Sequence, residues 1–364
     1  MKLFACDHCG NTVYFENARC ERCGHALGYL PQDSALISLD KAPGGRWTAP
    51  AFPGKQFVYC DNARYGACNW LVPAGGDLFC RACNHNETIP SIADPRNLAH
   101  WQTIERAKKR LFYSLLRLGL PLQTRAENPH HGLAFRFLAD DQNLPIKVMT
   151  GHEDGIITIA LAEADDAERE ARRASMGEPY RTLLGHFRHE IGHHYWDLLV
   201  SGMPPEARFR ALFGDERADY AQALEDYYAK GAPKGWPQTN ISAYATAHPW
   251  EDFAETFAHY LHITDTVEMA AAFGVRGLPK TGDEHLAIPP VRFDPYMAPD
   301  MGAIIDNWVP LASLLNNLNR AMGQADAYPF VLTPVVIEKL SFINDLVHQA
   351  SVVGHLSALE RAEG

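Results

Sequence analysis

The sequence of 364 residues lacks several features that would place it in a large class of proteins. It has no apolar run approaching the ~20 residues of a membrane-spanning helix, so no membrane partner is expected. The first residues, MKLFACDHCG, do not have the pattern of a secretion signal, which predicts a cytoplasmic location. The net charge is −11, and neither the first 90 residues nor the remainder carries a basic surplus. No nucleic-acid partner is therefore expected.

Cysteine is absent after residue 83. All eight cysteines precede that point, at Cys6, Cys9, Cys20, Cys23, Cys60, Cys68, Cys80 and Cys83. Two cysteines separated by two residues can hold one metal ion, and two such pairs complete a tetrahedral zinc site. Sequence proximity therefore predicts one zinc on the first four cysteines and one on the last four. Both would be structural, because four thiolates leave no open coordination position.

Two alternatives to this pairing stay open. The spacing between Cys60 and Cys68 is looser than that of a metal-binding pair, so an interleaved pairing of the cysteines remains possible. A disulfide framework is the second alternative, although a reducing cytoplasm disfavours it. Glycine follows two of the pairs, in CDHCG and CERCG, where the backbone must turn close to the metal.

Composition and periodicity predict an α+β protein of several parts. Two zinc-ribbon modules at 1–30 and 57–90 flank a Pro- and Gly-rich segment, 31–56, that is expected to be an irregular linker. A mostly helical domain is expected over 97–364. This domain is predicted to contain a hairpin over 144–161, a long loop over 277–302, a helix that starts at Pro249, and further helices over 97–120, 181–200, 214–228, 306–316 and 335–347.

The stretch FRHEIGHHYWDLL, residues 187–199, contains the pattern His-Glu-x-x-His. His189 and His193 share one helix face, so both imidazoles can reach one ion. Glu190 can then take a proton from a water that zinc has made acidic. The pattern also arises by chance in a chain rich in histidine and glutamate, so a solvated polar helix is the alternative.

A second helix supplies context for this pattern. In SAYATAHPWEDFAETFAHYLHITD, residues 242–265, Glu251, Glu255 and His259 recur every four residues. Such a stripe is costly to bury without a metal or a charge partner. A zinc ion held by two histidines of one helix and a glutamate of another would provide that partner.

The segment SAYATAHPWEDFAE resembles the corresponding segment of anthrax lethal factor, a metallopeptidase of the gluzincin class. There, a tyrosine precedes the ligand glutamate by seven residues, as Tyr244 precedes Glu251 here. The resemblance implies that Glu251 is the third zinc ligand and that Tyr244 stabilises the oxyanion. Over nearly its full length the chain resembles a group of uncharacterised bacterial proteins described as zinc-binding metallopeptidases with an N-terminal zinc ribbon. The cysteine pairs, HEIGHHYWDLL, FGDERADYAQAL and HPWEDFAETFAHYLHI carry that resemblance.

Other polar residues near these motifs receive supporting roles. Glu255 is predicted to orient a ligand histidine; Asp197 has the same predicted role, or is a plain helix-face carboxylate. His194 is predicted to pack rather than to bind metal. Structural roles are expected for three further histidines, with substrate contact as an alternative for the first: His248, His259 and His262. Three carboxylates either lie on a solvated face or buttress the zinc helices: Asp215, Glu216 and Asp219.

The sequence as a whole predicts a peptidase that carries one catalytic and two structural zinc ions and acts on a peptide or protein. The ribbons are a possible docking site for a protein partner. Two alternatives stay open: a non-catalytic interaction scaffold, and a peptidase that is blocked until a partner binds. The sequence gives neither the substrate, nor the choice between endo- and exopeptidase action, nor the oligomeric state.

Overall fold

The fold is that of a computed structural model, which describes residues 1–140, 147–176 and 182–362. The chain divides into two compact units. The first contains residues 1–117 and 122–175, and the second contains 118–121 and the chain from 176 onward. Within the described ranges, no helix combines the length and apolar character that crossing a bilayer requires. The fold class is α+β, as predicted.

The first unit begins with cysteine-bearing turns and a small antiparallel sheet. Strands β1 (Phe4–Ala5) and β2 (Thr12–Val13) form a short hairpin. A five-stranded meander follows, in the order β3 (Ala26–Leu30), β4 (Ala35–Ala42), β5 (Arg46–Thr48), β6 (Gln56–Tyr59) and β7 (Leu71–Pro73). All neighbouring strands of this meander are antiparallel.

The prediction of an irregular linker over 31–56 is wrong, because this segment supplies β4, β5 and the start of β6. Its glycines lie at turns: Gly44 and Gly45 both have positive φ, between β4 and β5. Its apolar residues are buried instead, and Ile37 and Leu39 of β4 pack with Phe57 of β6. Proline and glycine here mark the corners of a meander rather than a break in the fold.

The rest of the first unit combines a long helix with a mixed sheet. Helix α1 (Pro95–Arg117) agrees with the helix predicted over 97–120. The sheet has the order β10 (Gly151–Glu153), β11 (Ile156–Ala160), β9 (Ala134–Leu138) and β8 (Asn86–Thr88), and helix α2 (Asp166–Met176) follows it. The predicted hairpin is present as β10 and β11, which turn at Asp154 and Gly155. Residues 141–146 of the predicted hairpin lie outside the described residues.

An aromatic cluster joins the cysteine-rich part of the first unit to α1. The ring of Tyr29 on β3 lies 4.8 Å from that of Phe15 and 5.0 Å from that of Trp70. Phe15 in turn lies 5.6 Å from Tyr113 of α1. These centroid separations are typical of packed aromatic pairs, so the two cysteine-rich modules share one core with α1.

The second unit is helical. It contains α3 (Leu183–Leu199), α4 (Glu206–Phe213), α5 (Tyr220–Lys230), α6 (Pro249–Ala272), α7 (Met301–Ala321) and α8 (Pro334–Ala362). These ranges contain the predicted helices at 306–316 and 335–347 and the helix that starts at Pro249. The helix predicted over 214–228 begins later, at Tyr220. The predicted loop over 277–302 contains only two short 3-10 turns before α7 begins.

Helices α3 and α6 cross closely at Gly192. A Cβ atom on Gly192 would lie 2.9 Å from the Cα of Ala254, so the absence of a side chain permits this approach. Tyr195 and Phe257 stack at 5.6 Å beside the crossing. The crossing brings the two motif-bearing segments together.

Candidate functional site

The structure brings the eight cysteines together in two sets of four: Cys6, Cys9, Cys20 and Cys23, and Cys60, Cys68, Cys80 and Cys83. These sets are those that sequence proximity favours, without interleaving. The Sγ atoms of Cys6 and Cys23 lie 3.7 Å apart, and those of Cys68 and Cys80 lie 3.8 Å apart. Sulfurs on a tetrahedral zinc with bonds of ~2.3 Å would lie about 3.8 Å apart. These separations are too long for disulfide bonds.

The backbone of the first set turns around the metal position as the glycines predict. The N–H of Gly10 donates to the carbonyl of Cys6, and the N–H of Gly24 donates to that of Cys20, both at 2.8 Å. Both glycines have positive φ, which residues with a side chain adopt rarely. The two turns therefore have the form of metal-binding knuckles.

A buried charge cluster on α1 lies against the second set. The Nζ of Lys109 donates to the Sγ of Cys83 at 3.1 Å and to Glu105 at 2.6 Å. Glu105 also accepts from Lys108 at 2.8 Å and from Asn86 at 2.7 Å. Burial lowers the pKa of Lys109, but the neighbouring thiolates and Glu105 outweigh it and raise that pKa well above its usual value. The cluster thus places a cation beside a tetrathiolate site that carries negative charge.

A third cluster lies in the second unit, where α3 and α6 cross. The Nε2 atoms of His189 and His193 lie 3.1 Å apart. The Oε2 of Glu251 lies 3.0 Å from the first nitrogen and 3.6 Å from the second. Donors on a tetrahedral zinc with bonds of ~2.0–2.1 Å would lie about 3.3 Å apart. The three predicted ligands therefore form a triangle of the size that one zinc ion requires.

Local sequence holds Glu251 at the start of α6. Pro249 occupies the first turn, and the ring of His248 caps the helix by accepting from the N–H of Trp250 at 3.1 Å. The next residue after the ligand, Asp252, is fixed to Lys339 of α8 at 2.5 Å. The N-terminal end of a helix favours a carboxylate, so the fold supports a negative ligand at this position.

The electrostatics of the cluster favour a cation between its members. Burial lowers the pKa of His189, but hydrogen bonds with Glu251 and Glu255 outweigh it and raise that pKa well above its usual value. Burial likewise raises the pKa of Glu251, yet the charge of His193 and the hydrogen bonds hold it well below its usual value. Among the described residues, the two imidazole nitrogens are the only potential donors near the buried Oε2 of Glu251, and neither contact satisfies it as a regular hydrogen bond. A metal ion would satisfy this set of donors.

Glu255 contacts the first of the predicted ligands, His189. Its Oε1 lies 2.8 Å from the Nδ1 of His189, the ring nitrogen that faces away from Glu251. Its Oε2 accepts from the hydroxyl of Ser242 at 2.6 Å. A carboxylate on the far nitrogen fixes the ring and directs Nε2 to the metal, so Glu255 has the geometry predicted for it. Asp197 is exposed on α3, and its role in orienting a ligand stays a prediction.

The two residues predicted to act on the substrate lie beside this triangle. Glu190 is buried on α3, next to His189 in the chain. Tyr244 lies in a 3-10 turn before α6, and its ring is 6.0 Å from that of His189. Burial is the main reason that the pKa of Tyr244 lies above its usual value, so its hydroxyl stays protonated. It can therefore serve as a hydrogen-bond donor.

Sequence reasoning missed two aromatic residues at the site. The hydroxyl of Tyr220, the first residue of α5, donates to the Oε1 of Glu251 at 2.6 Å. The ring of Trp250 lies 3.8 Å from that of His193. Tyr220 lies inside the motif FGDERADYAQAL, but nothing in its spacing points to α6. Only the placement of α5 relative to α6 reveals the contact.

Most of the other polar residues have partners away from the metal triangle. Glu216 binds Arg210 of α4, Asp215 binds Arg217, and Asp219 caps α5, so the contacts of these carboxylates are with α4, α5 and the turn between them rather than with α3 or α6. The four other histidines with predicted roles also have contacts: His194 packs against Tyr195, His248 caps α6, His259 bonds Tyr328, and His262 stacks on Tyr328.

Two family models match separate parts of this chain. A family model described as "Putative zinc-binding metallo-peptidase" matches residues 97–346, and a zinc-ribbon model matches residues 3–94. Relatives from Mycobacterium bovis and from two strains of Mycobacterium tuberculosis, each called an uncharacterized protein, are 43% identical over 356 residues. The alignment covers 96% of this chain and 96% of each relative.

The two matches confirm the resemblance drawn from the cysteine pairs and HEIGHHYWDLL. No solved structure matches the chain. The resemblance of the zinc-site segment to lethal factor stays a prediction.

Proposed function

The chain belongs to this family of zinc-binding metallo-peptidases, and from that premise we propose that it hydrolyses peptide bonds at the cluster of His189, His193 and Glu251. The observation that carries the proposal is the convergence of two imidazole nitrogens and one carboxylate oxygen, 3.0–3.6 Å apart. Three protein ligands leave a fourth position open, which is the arrangement of catalytic rather than structural zinc. The class of the site would be that of a gluzincin.

Each residue of the site has a distinct part in the proposed reaction. Zinc bound there would supply Lewis-acid activation of water and of the peptide carbonyl. Glu190 would accept a proton from the attacking water and then deliver it to the leaving amine. The hydroxyl of Tyr244 would donate a hydrogen bond to the oxyanion that forms on the former carbonyl oxygen. Glu255 would hold the ring of His189 in the orientation that directs its Nε2 to the metal.

The two sets of cysteines are proposed to hold structural zinc ions, which makes three zinc ions per chain. Their thiols are free of disulfides, and a reducing compartment such as the cytoplasm would keep them available to metal. Because small cysteine-rich modules have little core, zinc would contribute much of their folding free energy. The substrate is proposed to be a peptide or a protein.

The test is proteome-derived peptide cleavage by the full chain and by Glu190→Gln. The expected result is zinc-dependent cleavage by the wild type and a loss of at least about 100-fold in the variant, because the base is removed. Glu225→Gln, an exposed glutamate on α5, is the matched control and should cleave normally. Full activity in Glu190→Gln would exclude the mechanism. A wild type that cleaves nothing while it binds three zinc ions would favour the two alternatives, the scaffold and the blocked peptidase, over an active peptidase.

A further inference from the structure

We propose that Tyr220 is a positioning residue, which holds Glu251 so that only one of its two carboxylate oxygens is presented to the metal. The inference rests on the proposed function, since it concerns the same site. It concerns a residue on α5, outside both of the segments that carry the ligands.

The two oxygens of Glu251 have different surroundings. Oε2 lies 3.0 Å and 3.6 Å from the Nε2 atoms of His189 and His193, which places it in the metal triangle. Oε1 accepts the hydrogen bond from the hydroxyl of Tyr220 at 2.6 Å. A carboxylate that is free to rotate can bind a metal through both oxygens. With Oε1 committed to Tyr220, Glu251 supplies one donor, and the open position is kept for water.

The phenol ring of Tyr220 is held in place by neighbours of Glu251. It packs edge-on to His248 at 5.2 Å and to Trp250 at 5.6 Å between centroids. The Nε2 of His248 lies 3.1 Å from the carbonyl oxygen of Ala218, two residues before Tyr220, and bonds to it. The start of α5 is thus fixed to the start of α6 by contacts that do not involve the metal. The hydroxyl is aimed by this framework before any ligand binds, as a preorganised site requires.

Tyr220 and Tyr244 consequently have separate roles. The hydroxyl of Tyr220 is occupied by Glu251, so it is not available to a substrate oxyanion while that bond persists. In the described ranges of the chain, the hydroxyl of Tyr244 makes no hydrogen bond, although its ring lies near His189. The hydroxyl of Tyr244 can therefore donate to substrate. The hydroxyl of Tyr220 instead supports Glu251.

The test is a chelator competition titration of the full chain, which measures zinc affinity directly. His189→Ala, which removes the site, defines the zinc that remains on the cysteines. Tyr220→Phe retains the ring and its packing but lacks the donor, and we expect its zinc affinity at this site to fall about 10- to 100-fold. Tyr220→His supplies a ring N–H on a smaller side chain and should recover part of that loss. Tyr228→Phe, an exposed tyrosine on the same helix, should bind zinc as the wild type does.

The outcomes separate this inference from the proposed function. If Tyr220→Phe binds zinc with wild-type affinity, Tyr220 does not position the ligand and the inference is overturned. Wild-type zinc affinity with lost peptide hydrolysis would also overturn it, since Tyr220 would then act on substrate. Reduced zinc affinity in Tyr220→Phe, in a chain that hydrolyses no peptide, would support the positioning role while removing the proposed function.

Discussion

Gly192 lies between His189 and His193, the two proposed zinc ligands of α3, and offers a direct test of how the proposed metal site is built. A Cβ atom at this position would lie 2.9 Å from the Cα of Ala254, 3.2 Å from its carbonyl oxygen and 3.2 Å from the Cβ of Phe257. Carbon atoms in good contact are roughly 3.5–4.0 Å apart. The closest obstacle is backbone, which cannot rotate away as a side chain can. Gly192→Ala must therefore push α3 and α6 apart by about half an ångström.

The expected cost to folding is moderate, because two effects oppose each other. Overpacking of a helix interface costs about 1–3 kcal/mol. Alanine in the middle of a helix recovers about 1 kcal/mol relative to glycine. The net loss in the free energy of unfolding should therefore be about 0–2 kcal/mol, so the variant should still fold.

The expected cost to the metal site is larger. The distance between the histidine nitrogens, 3.1 Å, lies within α3 and should not change. The distances from Glu251 to those nitrogens span the interface, and they should lengthen with the shift. A metal constellation tolerates displacements of only about 0.5 Å. Gly192→Ala should therefore lose the zinc of this site, while the zinc on the cysteines stays.

The assay is elemental analysis of zinc after dialysis against a chelator that is too weak to remove zinc from the wild type. The wild type should retain zinc at all three clusters, and Gly192→Ala only at the two cysteine clusters. Gly277→Ala is the matched control, because a Cβ there meets no atom within 4 Å. If Gly192→Ala keeps the full zinc content and the wild-type zinc affinity, the close approach of α3 and α6 does not set the ligand geometry.

Three further predictions concern other parts of the chain. Lys109→Met leaves the buried charges of Cys83 and Glu105 short of a cation, so urea denaturation should show a loss of about 3–5 kcal/mol; an unchanged midpoint would mean that Lys109 is not an essential partner. Glu255→Ala should weaken zinc binding at His189 by about 10- to 100-fold in a chelator titration, and unaltered affinity would exclude the orienting role. Burial lowers the pKa of His259 from 6.5 to about 4, so below pH 6.5 the unfolded chain binds a proton that the folded protein excludes. The free energy of unfolding should therefore fall as the pH drops from 6.5 toward 4, by at most about 1.4 kcal/mol per pH unit for this residue. The variant His259→Asn should show a smaller dependence of that free energy on pH. An identical dependence in the variant would contradict the lowered pKa of His259.

Local spacing was sufficient for the parts of the site that lie on one element. His189 and His193 had to share a face of α3 because four residues make about one helical turn. The same periodicity placed Glu251 and Glu255 on one stripe of α6. The glycines after the cysteine pairs also had a local reason, since their positive φ is a property of the knuckle itself.

Spacing along the sequence does not predict a conformation that depends on packing between elements. Proline and glycine predict a break over 31–56, but the apolar residues of this segment pack with partners on β3, β6 and β7. Spacing along the sequence does not show that these residues face a shared core, because that depends on how the strands pair. Strand formation depends on such cross-strand contacts more than on intrinsic preference.

The sequence by itself determined which residue types could bind metal and which of them lie one helical turn apart, because backbone geometry fixes those relations within an element. Only the tertiary structure decided that Tyr220 meets Glu251, that Lys109 meets Cys83, and that Gly192 lets two helices touch. Those pairs lie on separate elements, and their distances depend on packing rather than on position along the chain. The triangle of proposed zinc ligands combines both: His189 and His193 are placed by a helical turn, and Glu251 by the crossing of α3 and α6.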